Sequence, residues 1–153
     1  MRITEFLKEE SVVPALIGPG KEGVLRELSV ALNKSLPAVP VERLFAVLFE
    51  REKAASTAME KGVAIPHGRL PEISTLVACF GVSHGGVNFD ARDGRPSNFF
   101  FALVAPENSA GVHLKALAKI SRLFRSDELR EAILASSSAS EIYALIAAED
   151  GRT

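Results

Sequence analysis

The stretch of this sequence best suited to chemistry centres on His67, which follows a proline and precedes a glycine. Pro66 has a restricted φ and pushes Ile65 toward an extended conformation, while Gly68 can adopt φ values closed to other residues. These constraints predict that the His67 ring is presented on a stiff turn with an approachable backbone. Because the pKa of histidine lies near neutrality, the neutral ring can act as a nucleophile, a base or a metal ligand.

Arg51 and His113 are the next candidates for a site. Arg51 lies seven residues after Leu44 on an apolar helical stripe, so its side chain is predicted to start from the inward face of the helix. His113 falls near the first turn of a helix predicted to begin at Ser109, where free backbone N–H groups favour an anion. The structural alternatives are an arginine that reaches solvent from a helix end and a histidine hydrogen-bonded within the core.

A metal site is the competing interpretation of the histidines. His67, His84 and His113 could together bind zinc, but none of the short local spacings that strengthen such a prediction is present. His84 is predicted to lie exposed at the tip of a turn over residues 83–86. Cys79 is the only cysteine and lies within an apolar run, which predicts a buried thiol and leaves no partner for an internal disulfide.

The composition is typical of one globular domain over residues 1–153. Of the 153 residues, 47% are hydrophobic and 24% are charged, which is enough apolar sequence for a sizeable core. A net charge of -1 with no basic run argues against nucleic acid as a partner. The first residues lack the apolar core of a signal peptide, and no stretch approaches the roughly 20 apolar residues of a membrane span. We therefore expect a cytoplasmic protein without membrane insertion.

The hydrophobic pattern indicates an α/β (α+β) fold. Apolar runs predict strands at 12–17, 73–82 and 98–105, and a short antiparallel return at 87–89. Three- and four-residue periodicity predicts helices at 21–34, from 41 to the vicinity of 51, from 109 through 124, at 127–135 and at 138–148. A tight turn is expected at Asp93-Gly94. The elements alternate in a way that predicts a sheet sandwiched between helices.

The candidate residues occur in an order that resembles a known family. The sequence contains, in order, Arg51-Glu52, Ser56-Thr57, Gly62, Ala64-Ile65-Pro66-His67-Gly68-Arg69, Asp93-Gly94-Arg95-Pro96 and His113-Leu114-Lys115-Ala116-Leu117. This set resembles the signature of the enzyme IIA proteins of the bacterial phosphotransferase system, of the fructose, mannitol and nitrogen-regulatory type. The similarity extends over nearly the whole chain. It implies a three-layer single domain with a mixed β-sheet and helices on both sides.

The resemblance also implies a phosphoryl relay. His67 would accept a phosphoryl group from a histidine-containing phosphocarrier protein and pass it to an enzyme IIB, or the protein would act as a regulator in the nitrogen branch. Arg51 and His113 would contact the phosphoryl group. Ser56, Thr57 and Gly68 would support the surrounding loop or reach the phosphate, and no metal, nucleotide or other cofactor would be required.

A function of a different class is a regulatory interaction module that binds a transporter or a kinase without transferring phosphate. The set of His67, Arg51 and His113 argues against it, because placing an arginine and two histidines around one turn costs desolvation that mere binding does not require.

Overall fold

The computed structural model describes residues 1–152 and contains an open mixed β-sheet flanked by helices. A short 3₁₀ turn at Ile3–Glu5 precedes the first strand. The remaining elements, in chain order, are β1 Leu7–Val13, α1 Gly20–Ser35, α2 Val41–Ala54, β2 Val63–Ala64, β3 His67–Leu70, β4 Val77–Val87, β5 Ser97–Pro106, α3 Ala110–Leu123, α4 Asp127–Ala135 and α5 Ala139–Gly151.

The sheet places His67 at an edge. Within residues 1–152 the strand order is β1-β4-β5-β2, and β3 also pairs with β5. Strands β4 and β5 are antiparallel, whereas β1, β2 and β3 run parallel to their partners. Strands β2 and β3 follow one another along the same side of β5, so that Val63 lies opposite Phe99 and His67 lies opposite Leu103. His67 is therefore the first residue of an edge strand.

The two faces of the sheet bury separate apolar cores, as the continuous apolar runs predict. Along β5, Phe99, Phe101 and Leu103 pack with α3, α4 and α5, while the alternating residues Phe100 and Ala102 pack with α1 and α2. Because successive side chains of a strand point to opposite faces, an uninterrupted apolar strand must be covered on both sides. The predicted α/β fold, with a mixed sheet between helices, is confirmed.

The helices agree closely with the periodicity of the sequence. Helix α1 extends the predicted segment by one residue at each end, α2 begins at the predicted residue 41, and α4 matches 127–135. Ser109 precedes α3 as predicted, but its hydroxyl donates to the Pro106 carbonyl (2.7 Å) instead of capping the helix. No described helix has the length and apolar character that crossing a bilayer would require.

The first strand begins earlier than predicted. The predicted strand at 12–17 is wrong in position, because β1 covers Leu7–Val13 and contains three exposed polar residues that hide it in the sequence. Pro14 lacks a backbone N–H and ends the strand, since it cannot donate to the ladder. Beyond it, the Leu16 amide still donates to the Val82 carbonyl (2.7 Å), which keeps the next segment against β4.

The predicted turn at 83–86 is also wrong. Strand β4 begins at Val77 and runs on through His84 to Val87, and the chain reverses later, in the loop at 88–96. The register shifts between Val82 and Val87, where Gly86 has a φ of 79°, so the glycines mark a β-bulge within the strand. The tight turn predicted at Asp93-Gly94 is present, with the Gly94 amide bonded to the Ala91 carbonyl (3.0 Å).

Candidate active site

The orientation of the His67 ring is set by a backbone hydrogen bond. Nδ1 of His67 lies 2.7 Å from the carbonyl oxygen of Ile65. A carbonyl oxygen only accepts, so Nδ1 carries the proton and donates it. The neutral ring then has its lone pair on Nε2, which is the nitrogen available for attack. The hydrogen bond to Ile65, the residue before Pro66, is what holds the ring in place. The predicted turn is wrong, because His67 is the first residue of β3.

His67, Arg51, Gly68 and His113 line the same open pocket, which has a volume of about 570 Å³. Arg51 belongs to the last turn of α2, where a cation is favoured by the helix dipole. One of its guanidinium nitrogens, Nη1, donates to the Ala55 carbonyl (2.7 Å), which holds the side chain at the helix end. The remaining guanidinium N–H groups are available to an anion in the pocket.

His113 lies edge-on to His67. The ring centroids are 5.3 Å apart, and the ring planes form an angle of 83°. His113 is only 5% exposed, and its buried Nε2 has no hydrogen-bond partner within residues 1–152. A buried polar atom without a partner carries a desolvation cost. An anion bound between the two rings would supply the missing partner.

Both histidines are held in the neutral form. Burial lowers the pKa of His67 below its ordinary value; the bond to the Ile65 carbonyl opposes this effect, and the charge of Arg51 adds to it. Burial lowers the pKa of His113 to about 4, with further contributions from His67 and Arg69. A neutral His67 keeps the Nε2 lone pair that nucleophilic attack requires.

The neutral state of His113 predicts how stability depends on pH. In the unfolded chain its pKa is about 6.5 and in the folded chain about 4, so between these values the unfolded state binds more protons. Stability should therefore fall as the pH decreases through this range. We expect His113→Phe to lose less stability than the parent between about pH 7 and about pH 5, measured by urea denaturation. An equal loss in both proteins would show that His113 is not the group responsible.

Ser56 and Thr57 lie behind the pocket and do not border it. The Ser56 hydroxyl donates to the Phe89 carbonyl, and its oxygen accepts from the Ala58 amide (3.0 Å). The Thr57 hydroxyl and amide both bond the Glu52 carboxylate, the amide at 3.0 Å. Of the two roles predicted for these hydroxyls, the geometry favours support of the loop over contact with a phosphate.

Gly68 is required for a reason that the sequence did not indicate. Its φ lies outside the left-handed region, so conformational freedom is not what the position uses. A Cβ at Gly68 would instead lie 2.3 Å from Cγ1 of Val47 on α2. The absence of a side chain lets α2 approach β3 closely, which brings Arg51 and His67 to one pocket.

Substitution of Gly68 should therefore disturb both packing and activity. We expect Gly68→Ala to lower the free energy of unfolding by about 1–3 kcal/mol, because the stiff Val47 side chain cannot move far. Val47→Ala in the same chain should recover part of this loss. Gly85→Ala, in β4, is the matched control, since no atom lies within 4 Å of its added Cβ. Denaturation of the three variants and the parent tests this; a Gly68→Ala protein as stable as Gly85→Ala would contradict it.

Four further charged residues lie near His67 and were not predicted as site residues, although Glu52 and Arg69 belong to the motifs. Arg43, Glu50 and Arg69 line the pocket, and Glu52 is buried behind it. Arg69 could have been found from strand periodicity, since residues two apart in a strand share a face. The Arg43 guanidinium is occupied by the Glu72 carboxylate at 2.9 and 3.2 Å. The Arg69 side chain has no hydrogen-bond or ion-pair partner in the described part of the chain.

His84 does not join the other two histidines. It is exposed, as predicted, but it lies in β4 with Nε2 3.1 Å from the Pro14 carbonyl oxygen. Among residues 1–152, no group of three or more histidine, cysteine, aspartate or glutamate side chains is arranged to hold a metal ion. Cys79 is buried, as predicted, and burial raises the pKa of its thiol.

The described residues thus form an open mixed sheet in which two histidines and an arginine line one pocket beside the edge strand β3. The chain belongs to the family described as "Phosphoenolpyruvate-dependent sugar phosphotransferase system, EIIA 2", whose model matches residues 5–149. The resemblance drawn from the motifs is thereby confirmed.

Relatives and structures similar to the chain come from both branches of this family. A "Nitrogen regulatory protein" of Bradyrhizobium diazoefficiens is 38% identical over 147 residues, which cover 96% of this chain and 95% of the relative. The crystal structure of the nitrogen regulatory protein IIA-Ntr from Neisseria meningitidis has a TM-score of 0.86 and 34% identity, covering 94% of this chain and 98% of that one. The complex of enzyme IIA mannitol with phosphorylated enzyme IIB from Escherichia coli shares the fold, with a TM-score of 0.76, 19% identity and coverage of 94% and 99%.

Proposed function

We propose that this protein relays a phosphoryl group through a phosphohistidine formed at Nε2 of His67. The observation that carries the proposal is the hydrogen bond from Nδ1 to the Ile65 carbonyl, which leaves Nε2 unprotonated beside the pocket. Membership of the EIIA 2 family supplies the reaction class, since the chain is a phosphotransferase-system component. Ser56 and Thr57 support this site from behind, and Gly68 lines it where α2 meets β3.

The transfer is a displacement at phosphorus. The Nε2 lone pair forms a P–N bond to the phosphoryl group of a donor phosphohistidine, and the donor P–N bond breaks with its electron pair returning to the donor ring. The proton on Nδ1 stays where it is. Because phosphoryl transfer depends mainly on positioning and on stabilising charge, Arg51 contributes paired N–H donors and Nε2 of His113 contributes one further donor in the tautomer that protonates it. No metal or nucleotide enters these steps.

The family and the surface around the pocket support a proposal for the partners. The donor is a histidine-containing phosphocarrier protein, and the acceptor is an enzyme IIB or a regulatory target. The complex of enzyme IIA mannitol with phosphorylated enzyme IIB provides a precedent for the acceptor on the same fold. Two apolar side chains flank His113 in the first turn of α3 and are well exposed, Val112 at 45% and Leu114 at 67%, which suits a protein surface docking over the pocket. The relay would take place in the cytoplasm.

The relatives named as nitrogen regulatory proteins favour the regulatory branch for this chain. In that branch the phosphorylated and unphosphorylated forms would differ in the protein they bind. A pure interaction module without phosphorylation is disfavoured. In such a module no ligand would bond the buried Nε2 of His113, and the desolvation of that atom would lower stability without compensation.

Intact-mass measurement after incubation with a phosphorylated carrier tests the relay. The expected result is a gain of one phosphoryl group that is lost on acid treatment, because a phosphoramidate is labile in acid. Addition of an enzyme IIB would then remove the label if the chain serves sugar transport, and leave it if the chain serves regulation. A protein that takes up no label from the carrier would overturn the proposal.

A further inference from the structure

Glu52 is a buried carboxylate placed where a carboxylate is costly. It is 4% exposed, follows Arg51 directly and lies in the last turn of α2, at the negative end of the helix dipole. Its oxygens accept hydrogen bonds from the Thr57 amide (3.0 Å) and the Thr57 hydroxyl, and they form an ion pair with the Lys21 ammonium group (3.2 Å). Lys21 is also paired with Asp90 (2.9 Å). This carboxylate is therefore fully bonded and lies directly beside the site.

A continuous series of hydrogen bonds leads from Glu52 to the His67 ring. Glu52 holds Thr57, the Thr57 carbonyl accepts from the Ile65 amide (3.1 Å), and the Ile65 carbonyl accepts from Nδ1 of His67 (2.7 Å). The last of these bonds determines which ring nitrogen is free. The position of the Ile65 carbonyl therefore depends on the peptide that Glu52 holds.

The negative charge of Glu52 also acts on the His67 ring directly, independently of these hydrogen bonds. The charged and titratable groups that act on the His67 ring are Arg51 and Glu52 from α2, Arg69 from β3 and His113 from α3. Arg43 and Glu50, also from α2, line the same pocket, but they are paired with Glu72 and Lys53. The two arginines disfavour a positive ring and His113 is neutral, whereas Glu52 raises the pKa of His67. Glu52 is thus the anionic group in this set that favours a cationic ring.

The negative charge of Glu52 has its largest effect once the His67 ring is phosphorylated. When Nε2 attacks phosphorus and Nδ1 keeps its proton, the product ring is an imidazolium. On onward transfer such a ring departs as neutral imidazole, with the P–N electron pair returning to Nε2 and the proton remaining on Nδ1. A ring that had lost the Nδ1 proton would have to depart as an imidazolate, a much poorer leaving group.

We propose that Glu52 is a positioning residue for His67, holding the proton on Nδ1 through Thr57 and Ile65 and keeping the phosphorylated ring protonated through its charge. This inference rests on the proposed phosphoryl relay. It assigns to the buried ion pair of Glu52 with Lys21 a role in how readily the phosphoryl group leaves.

The test uses Glu52→Gln, which removes the charge and keeps the side-chain shape, with Glu42→Gln at the opposite end of α2 as the matched control. Glu42 is 77% exposed and pairs with Arg26. Nitrogen NMR of the His67 ring is recorded against pH before and after phosphorylation, and the rate of loss of the phosphoryl group is measured over the same range. In Glu52→Gln we expect the titration of the phosphorylated ring to move about one unit lower, with transfer about tenfold slower at neutral pH. Glu42→Gln should match the parent.

Lys21→Met separates this role from mere support of the fold, and it also serves if Glu52→Gln does not fold. Removal of the cation leaves Glu52 uncompensated, so the ring should titrate at a higher pH, opposite to the shift in Glu52→Gln. A structural role would move both variants in the same direction. If the ring nitrogens of both variants titrate as in the parent, the inference is overturned, whatever the relay does. If the parent takes up no label, the relay fails, and the spectra of the unphosphorylated ring still decide whether Glu52 holds the proton on Nδ1.

Discussion

The variant His67→Ala is expected to take up no acid-labile phosphate from a phosphorylated carrier. Nε2 of His67 is the nitrogen beside the pocket whose lone pair is free, and alanine offers no nucleophile in its place. The fold should persist, because the ring is half-buried at an edge strand and adds little to either core. Intact mass before and after acid treatment, together with circular dichroism, measures both expectations.

His84→Ala is the matched control for this loss, since it removes a histidine that is exposed on β4 and bonded to the Pro14 carbonyl. It should be labelled at the parent's rate. Labelling of His67→Ala at another residue would contradict the assignment of the nucleophile. Loss of labelling in His84→Ala would return the three-histidine site to consideration.

Arg51→Lys is expected to slow phosphoryl transfer by about ten- to a hundredfold while the carrier still docks. Lysine keeps the positive charge but loses the planar set of donors, one of which holds the Ala55 carbonyl (2.7 Å) while the others remain for the phosphoryl group. A charge-assisted hydrogen bond contributes roughly 1.5–3 kcal/mol, and when it is made only in the transition state this energy appears in the rate. Rapid-quench transfer alongside calorimetric affinity would measure the two effects separately.

Arg43→Lys provides the control, because Arg43 borders the same pocket while its guanidinium is bound to Glu72. Its transfer rate should stay near that of the parent. An Arg51→Lys protein that transferred normally, or that only docked more weakly, would make Arg51 a support of the helix end and not a contact of the phosphoryl group.

Helices and motifs of this chain could be predicted because the signals for them are local. Side chains three and four residues apart lie on one face of a helix, so the apolar stripes predicted α1, α2 and α4 to within a few residues. The motif around His67 likewise lies within a few residues of sequence. It is sufficient to identify the family without any tertiary contact.

Strand boundaries could not be predicted in the same way, because a strand is defined by its neighbour. Strand β1 contains exposed polar residues at 8–10 and is a strand because it pairs with β4. The glycines at 85–86 have the composition of a turn, but pairing with β5 carries the chain through them with a bulge. A turn and a bulge use the same residues, and the long-range pairing decides between them.

By itself, the sequence determined the family, the helices and the identity of His67, Arg51 and His113 as candidates. Only the tertiary structure decided what these residues can do. The Ile65 carbonyl selects the tautomer of His67, the missing side chain of Gly68 lets α2 close on β3, and α3 brings the unpartnered Nε2 of His113 beside His67. Each is a contact at a few ångströms, and residues from α2, β3 and α3 reach such distances only when the two faces of the sheet are packed.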